Sequence, residues 1–189
     1  MRVLTIAVLS LLATLSASAG ETQVDKTDKA KKVEVMLSGY EHQPTPSAWK
    51  EHLGADGYKI LLDYAQNAEK PFYKRLRAIS ALANFKAPEV TQFLDGLAKN
   101  SKMETSMRRN AIMAFSLSDP ENAGLSLVEL SKDKDPFIRE ACVLTAFARP
   151  ELAASWLEQR LQVEKEDFIL SKLKKLKLKL KKIQSGEQK

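Results

Sequence analysis

The chain has 189 residues, a formal net charge of +6 and 44% hydrophobic residues, which is enough to bury the core of one ordinary domain. The charge is not evenly distributed, because the last 25 residues, from Lys165, carry nine lysines against three acidic residues. The excess of positive charge therefore comes from one segment of the chain, and we expect no specific nucleic-acid partner. The single cysteine, Cys142, excludes an intramolecular disulfide, so the core has to be stable without one.

Residues 1–19 have the three-part layout of a secretory signal peptide. Arg2 supplies a positive charge, residues 3–15 form an apolar run, and Ala17 and Ala19 place small side chains before the expected cleavage site. The alternative is an uncleaved membrane anchor, but the apolar run is shorter than the roughly 20 residues that a spanning helix needs. We therefore expect cleavage after Ala19 and an exported protein, either periplasmic or secreted.

Residues 20–46 are predicted to form a polar leader and a loop. The first part of this segment, to about Lys32, is polar and lacks aromatic residues, which favours a flexible chain. Two nearby prolines then interrupt any helix or strand. Ser47 is expected to cap a short helix, and the segment 49–69 resembles a degenerate first repeat.

Residues 47–165 are predicted to form one helical-repeat domain. Arg75, Arg108 and Arg139 recur at spacings of 33 and 31 residues, and each is followed three residues later by a small residue and then by a branched apolar one. A Pro-Glu pair follows each of these segments by about one helix length. Such a period, with two helices in each unit, is typical of stacked helical hairpins. The clear repeats are expected at about 71–101, 104–134 and 135–165.

Each Pro-Glu pair is expected to begin the second helix of its repeat. Proline suits the first helical position, where its missing N–H costs no bond, and the adjacent glutamate lies at the positive end of the helix dipole. Asp119 and Asp135 precede prolines, where their carboxylates can cap helix starts. The second helices carry apolar stripes that include Phe93, Leu125 and Trp156. Because no segment has a convincing strand pattern, we expect an all-α fold, an α-solenoid of stacked antiparallel hairpins.

The repeat pattern resembles the HEAT-like family, in the short form that is also found in phycobilisome lyases. The shared signature is an apolar residue, then R-x-x-A, another apolar residue, and a helix that starts with Pro-Glu; it covers residues 71 to about 165. The turn motif of ankyrin repeats and the spaced pattern of tetratricopeptide repeats are both missing from the sequence. The resemblance implies an architecture and no particular function, because such repeats serve many unrelated tasks.

Residue types that carry chemistry are sparse. His42 and His52 lie ten residues apart, and with one distant cysteine they do not form a zinc-binding set. The sequence has no G-x-S-x-G motif and no glycine-rich phosphate loop. Cys142 lies in an apolar helix pattern and is expected to be a buried small hydrophobe. We therefore expect no catalytic residues, no metal, no cofactor, and a protein that is not an enzyme.

The surface formed by the second helices is the predicted binding surface for a protein partner. Its candidate residues, chosen from helix phase, are Gln92, Asp95, Glu129 and Glu158. The three repeated arginines have two alternative roles. Either they form a ladder of ion pairs with acidic neighbours such as Asp135 or Glu140, or they line a basic groove for an acidic partner.

Residues 166–189 are predicted to form a basic amphipathic C-terminal helix and tail. One apolar stripe is opposed by a lysine face. The stripe comprises Ile169, Leu173, Leu176, Leu180 and Ile183, and the candidate binding lysines are Lys174, Lys177 and Lys181. The stripe either docks on the last hairpin as a cap of the solenoid, or the helix binds an anionic membrane surface or an acidic partner.

Three functions remain open from the sequence. The favoured one is a non-enzymatic exported scaffold or adaptor that binds a protein partner through the solenoid surface. The alternative is a peripheral envelope protein that binds an anionic membrane or polymer through its lysine-rich C-terminal helix. A third, by analogy with other HEAT-like families, is a lyase-type or base-repair enzyme.

Overall fold

The structure, a computed structural model, describes residues 18–39 and 44–186, with side chains from residue 27 onward. The predicted signal peptide lies outside this part except for its last two residues, and so does His42. Every regular element in the described part is helical, which confirms the all-α fold class. The α-helices are α1 (Ser18–Ser38), α2 (Pro46–Leu53), α3 (Tyr58–Gln66), α4 (Phe72–Leu82), α5 (Pro88–Lys99), α6 (Thr105–Ser118), α7 (Pro120–Leu130), α8 (Pro136–Ala148), α9 (Leu157–Val163) and α10 (Asp167–Gln184). Two 3-10 helices occur at Ala55–Gly57 and Pro150–Ala153.

The helices stack in two rows, which makes the molecule an α-solenoid. We call α4, α6, α8 and α10 the first row, because each packs against the next in that order. The second row contains α3, α5, α7 and the 3-10 helix Pro150–Ala153, which also pack in sequence. The repeated arginine segments supply α4, α6 and α8 of the first row, and the Pro-Glu segments supply most of the second.

The branched apolar residue that follows each arginine lies in the core between the rows. Ile79, Ile112 and Val143 are almost completely buried, as are the small residues that precede them. Cys142 is one of these small residues, and burial raises the pKa of its thiol above the usual range. Its predicted role as a small buried hydrophobe is confirmed.

The Pro-Glu segments begin helices, with one deviation at Pro150. Asp119 accepts a hydrogen bond from Asn122 N at 3.2 Å and caps α7, as predicted. Pro150 begins only a short 3-10 helix, and α9 does not start until Leu157. The buried indole of Trp156 explains the interruption, because its Nε1 donates to Leu152 O at 2.7 Å and occupies a carbonyl that a continuous helix would use.

The N-terminal leader differs from its prediction, because α1 covers most of it. Val33 and Leu37 are fully buried, and Arg77 donates to Leu37 O at 2.8 Å near the end of α1. From Glu21 to Ser38 the chain has no proline or glycine and many good helix formers, so nothing interrupts a helix once its last turns are docked.

The cap of α2 is also displaced from the predicted residue. Thr45, two residues before the expected Ser47, accepts a hydrogen bond from Ala48 N at 3.2 Å. Pro46 takes the first helical position, where its missing N–H costs no bond.

The C-terminal helix α10 docks as the last member of the first row. Ile169, Leu173 and Leu176 are at most 1% exposed against the preceding repeat. Leu180 is half-buried and Ile183 is 39% exposed, so the stripe leaves the core towards its end. The predicted capping role is therefore confirmed for the first three residues of the stripe. Among the residues described, no helix combines the length and the apolar character that a membrane span requires.

Candidate partner-binding surface

The second row presents three successive surface grooves, which we call the second-row face. The grooves lie between α3 and α5, between α5 and α7, and between α7 and the 3-10 helix Pro150–Ala153. Gln92 borders the first and second grooves, and Leu125, 33 residues later, borders the second and third. The repeat therefore places equivalent positions on equivalent ridges, and it produces a periodic surface.

A polar network crosses the middle groove. Ser126 Oγ donates to Asp95 Oδ1 at 2.5 Å, and Lys99 Nζ donates to Asp95 Oδ2 at 2.9 Å. Lys99 also lies 3.4 Å from a carboxylate oxygen of Glu129. Partial burial alone would lower the pKa of Lys99, but the interactions with Asp95 and Glu129 outweigh it and raise the pKa. Asp95 thus links α5 to α7, while Gln92 and Glu129 remain exposed to solvent.

The third groove is apolar with an acidic rim. Leu125 is 74% exposed at its edge, and Val128 and Leu152 line it. Glu121 and Glu151 stand at its borders. An exposed leucine beside apolar walls provides a contact surface that a partner's side chain can cover.

Leu125 had been predicted to belong to the buried stripe of α7, and that prediction is wrong. The buried face of α7 is formed by Ala123, Ser126, Leu127 and Leu130. A leucine at position 125 points away from this face, because adjacent residues of a helix diverge by about 100°. The helical phase of the small residues Ala123 and Ser126 is the sequence signal from which the exposure of Leu125 could have been predicted.

Two of the three repeated arginines form buried ion pairs. Arg108, with a side chain only 3% exposed, donates from Nε to Ala98 O at 2.9 Å and from Nη2 to Asp133. Arg139 donates to both carboxylate oxygens of Glu164, each at 2.9 Å. In both pairs the carboxylate lies 25 residues after the arginine. The ladder of ion pairs is therefore confirmed at these two positions, and a basic groove is excluded there.

Glu164 is the most strongly held carboxylate of this ladder. Its side chain is 1% exposed, and Arg160 Nη2 adds a third charged contact at 2.6 Å. Burial alone would raise the pKa of Glu164, but the hydrogen bonds from Arg139 and Arg160 outweigh it and lower the pKa to about 2. The carboxylate therefore stays charged across the physiological pH range.

The acidic residues that the sequence suggested as ladder partners bind other groups. Asp135 accepts a hydrogen bond from Thr105 Oγ1 at 2.6 Å and from Phe137 N at 2.9 Å, so it caps α8 as predicted. Burial would raise the pKa of Asp135, but these hydrogen bonds outweigh it and lower the pKa. Glu140 lies 3.4 Å from Arg109 and 3.0 Å from Lys172. The loop carboxylates Asp133 and Glu164 were not predicted as partners, because each lies 25 residues after its arginine, beyond the three- and four-residue spacings of a helix face.

The remaining predicted residues lie at the C-terminal end of the stack. Lys177 Nζ donates to Glu158 at 2.7 Å and joins α10 to α9, with both side chains partly exposed. Lys174 and Lys181 are exposed on α10. The structure therefore places Gln92 and Asp95 at the middle groove, with Glu129 beside it in contact with Lys99. Glu158 lies elsewhere, where it pairs with Lys177 of α10.

The described residues offer little that is typical of a metal or nucleophilic centre. Within 27–39 and 44–186, no three side chains of the His, Cys, Asp and Glu types converge as metal ligands would. His52 is exposed on α2.

No protein-family model matches the chain, and no curated protein matches it. A solved structure does: the complex of CpcE and CpcF of phycocyanin lyase from Nostoc sp. PCC7120 contains a chain that aligns with a TM-score of 0.54 and 18% identity. The alignment covers 80% of this chain and 99% of the other. At this identity the similarity establishes the fold, and it confirms the HEAT-like architecture that the repeats predicted.

The same comparison corrects one expectation. We expected that the chain is not an enzyme, because the sequence shows no set of catalytic residues. A chain with this architecture is part of a phycocyanin lyase. The architecture therefore points away from the non-enzymatic assignment, and enzymatic function stays open for this chain.

Proposed function

We propose that this protein is exported and binds a protein partner through the second-row face. The observation that carries the proposal is the periodic set of grooves, with Gln92 and the exposed Leu125 on its ridges. A leucine that is 74% exposed loses contact with water when a partner covers it, which is favourable by about 1–2 kcal/mol. The acidic rim at Glu121 and Glu151 favours a partner with basic residues around an apolar contact.

Two further observations support parts of this proposal. The structurally similar chain comes from a complex of two proteins, CpcE and CpcF, so this architecture is used in a protein–protein assembly. The compartment rests on the sequence of residues 1–19, with its positive start, its apolar run and its small residues at positions 17 and 19. Export places the partner in the periplasm or outside the cell.

Site-specific photo-cross-linking tests the second-row face. A photoreactive benzoylphenylalanine at Leu125 is expected to capture one discrete partner in intact cells, and mass spectrometry identifies it. Met113, an apolar residue of the first row that is 53% exposed, provides the matched control position. Leu125→Arg, introduced beside a photoreactive residue at Gln92, should abolish capture. Equal capture from Met113, or capture that survives Leu125→Arg, would contradict the proposal.

A second candidate function uses the exposed lysines of α10. Three of its seven lysines have partners in the structure: Lys172 with Glu140, Lys177 with Glu158, and Lys179 with Phe147 O. The other four are exposed and make no ion pair with any described carboxylate; they are Lys174, Lys175, Lys181 and Lys182. Because Leu173 and Leu176 are docked, these lysines can contact an anionic surface while the solenoid stays folded.

Sedimentation with anionic liposomes separates this candidate from the first. If α10 binds the surface, the protein should sediment with vesicles that contain phosphatidylglycerol, and increasing salt should release it. Replacing Lys174, Lys175, Lys181 and Lys182 with glutamine should abolish sedimentation and leave the melting temperature unchanged. Leu125→Arg is the control, since it should not affect liposome binding. Binding that is insensitive to salt and to these lysines would exclude the candidate.

A further inference from the structure

Arg75 occupies the first position of the arginine ladder, but its guanidinium has no carboxylate partner among the residues that the structure describes. Its Nε donates to Ala65 O at 3.1 Å, as Arg108 Nε donates to Ala98 O at 2.9 Å. Both acceptors lie ten residues before the arginine, so the two guanidinium groups are anchored by the same contact. Arg108 uses Nη2 for Asp133, whereas no described carboxylate lies within ion-pair distance of Arg75.

The missing carboxylate is explained by one residue. The position 25 residues after the arginine is Asp133 for Arg108 and Glu164 for Arg139, but it is Asn100 for Arg75. Asp133 uses both of its oxygens, because Oδ1 accepts from Asp135 N at 2.8 Å and Oδ2 accepts from Arg108. Asn100 makes the equivalent of the first bond, because its Oδ1 accepts from Lys102 N, two residues later, at 3.1 Å. Its second branch is an NH₂ donor, which cannot accept from a guanidinium.

Arg75 and Asn100 both line the groove between α3 and α5. The other residues of this groove are uncharged: two glutamines supply amides, and the rest are apolar or glycine. They are Ala65, Gln66, Gln92, Phe93, Gly96, Leu97, Met103 and Met107. A Cβ atom added at Gly96 would meet no atom within 4 Å, so the groove has free space beside it. The groove thus combines one partly exposed cation, three amide side chains and an apolar wall.

We propose that this groove binds the side-chain carboxylate of an aspartate or glutamate from a protein partner. The acid would take the place that Asp133 and Glu164 fill in the two later repeats, with its oxygens on the Nη groups of Arg75. Hydrogen bonds between a guanidinium and a carboxylate are charge-assisted and directional, so they select an acid over its amide. The apolar wall at Phe93 and Met103 favours a peptide segment over a free anion, because flanking residues of the segment can pack there.

This inference deepens the proposed function and rests on it for the protein nature of the occupant. It adds a chemical requirement to the apolar contact around Leu125: the partner must also place an acidic side chain in the first groove. A partner that fits both grooves carries an acidic side chain opposite Arg75 in the first groove and basic residues near the acidic rim of the third groove.

A single substitution in this chain can supply the carboxylate that the Arg75 groove lacks. Asn100→Asp keeps the acceptor for Lys102 N and adds an oxygen that can bind Arg75, so it should block a partner's carboxylate. Asn67→Asp is the matched control. Asn67 lies 33 residues earlier in the equivalent turn, where its Oδ1 accepts from Glu69 N at 2.9 Å, and it does not line this groove.

Selection from a phage-displayed library of short random peptides tests the proposal. The peptides are selected on the wild-type protein alone, and a selected peptide is then synthesised with an amidated C-terminus for fluorescence anisotropy. We expect enrichment of aspartate or glutamate, and roughly tenfold weaker binding when the acid is replaced by its amide. Arg75→Gln and Asn100→Asp should weaken binding by a similar factor, whereas Asn67→Asp should not.

Two results would overturn the proposal. The first is a set of selected peptides without acid enrichment. The second is a peptide that binds Arg75→Gln and Asn100→Asp as tightly as wild type but is lost on Leu125→Arg. That second result would retain the second-row face as a binding surface and exclude the Arg75 groove as its carboxylate site. Circular dichroism of each variant confirms that a loss of binding is not a loss of fold.

Discussion

The two ends of the arginine ladder show how one repeated residue can have two roles. At the C-terminal end, Arg139 and Arg160 enclose the buried carboxylate of Glu164, and α10 covers the stack beside them. At the N-terminal end, Arg75 keeps the same main-chain anchor as Arg108 but faces an open groove without a described carboxylate. The difference follows from the residue 25 positions later, which is an acid in the later repeats and Asn100 in the first.

The repeated arginine can therefore contribute either to the stability of the fold or to the binding of another molecule. Where the chain supplies its own carboxylate, the arginine stabilises the junction between repeats. Where it supplies an amide, the cation stays available to another molecule.

Glu164→Gln is expected to have the largest effect on the free energy of unfolding. The substitution leaves Arg139 and Arg160 without a counterion in a buried position, which should destabilise the protein by about 3–5 kcal/mol. Urea denaturation monitored by circular dichroism measures the change. Glu158→Gln, which removes the exposed partner of Lys177, serves as the control and should cost less than about 1 kcal/mol. Similar losses of unfolding free energy in both variants would contradict the distinction between the buried ion pairs of Glu164 and the exposed pair of Glu158.

Leu173→Ala should destabilise the closed end of the stack by about 2–5 kcal/mol, because this leucine is fully buried between α10 and the preceding repeat. Leu178→Ala is the matched control on the same helix. That leucine is 60% exposed, so the change should cost about 0.5 kcal/mol or less. If the two alanine variants have equal melting temperatures, α10 does not cap the solenoid in solution.

Acid should remove the contribution of Glu164 in a defined pH window. Its folded pKa of about 2 lies below its usual value of 4.5, so the contribution is fully present above about pH 4.5 and is lost as the pH falls towards 2. The difference in unfolding free energy between wild type and Glu164→Gln should therefore shrink by about 3 kcal/mol across this range. A difference that stays constant from neutral pH to pH 2 would show that the carboxylate is not held as described.

The sequence predicted the fold well because its strongest signals are periodic. The spacing of Arg75, Arg108 and Arg139 and the recurring Pro-Glu pairs indicate which segments stack, and they account for both rows except for α3 and α10. Local departures from the repeat were not predictable in the same way. The interruption after Pro150 depends on a tertiary placement of Trp156, and α1 depends on docking of Val33 and Leu37 that polarity alone does not indicate.

The candidate surface could be predicted only in part. Helix phase located Gln92 and Glu129 on the second-row face, but it missed that Asp95 is bound by Ser126 and Lys99. The partners of the arginines lie 25 residues away in loops, beyond the reach of helical spacing rules. Once Arg108 and Arg139 reveal that offset, the sequence itself identifies Asn100 as the exception.

A double-mutant cycle between Arg75 and Asn100 tests whether these two residues face each other across the first groove. If position 100 is the vacant carboxylate position of the ladder, Asn100→Asp should stabilise the protein by about 0.5–1 kcal/mol, because the new pair is partly exposed. The same substitution in the Arg75→Gln background should give no stabilisation, so the coupling energy equals the whole gain. An equal effect of Asn100→Asp in both backgrounds would show that the residue at position 100 does not face Arg75, and the claim would be wrong.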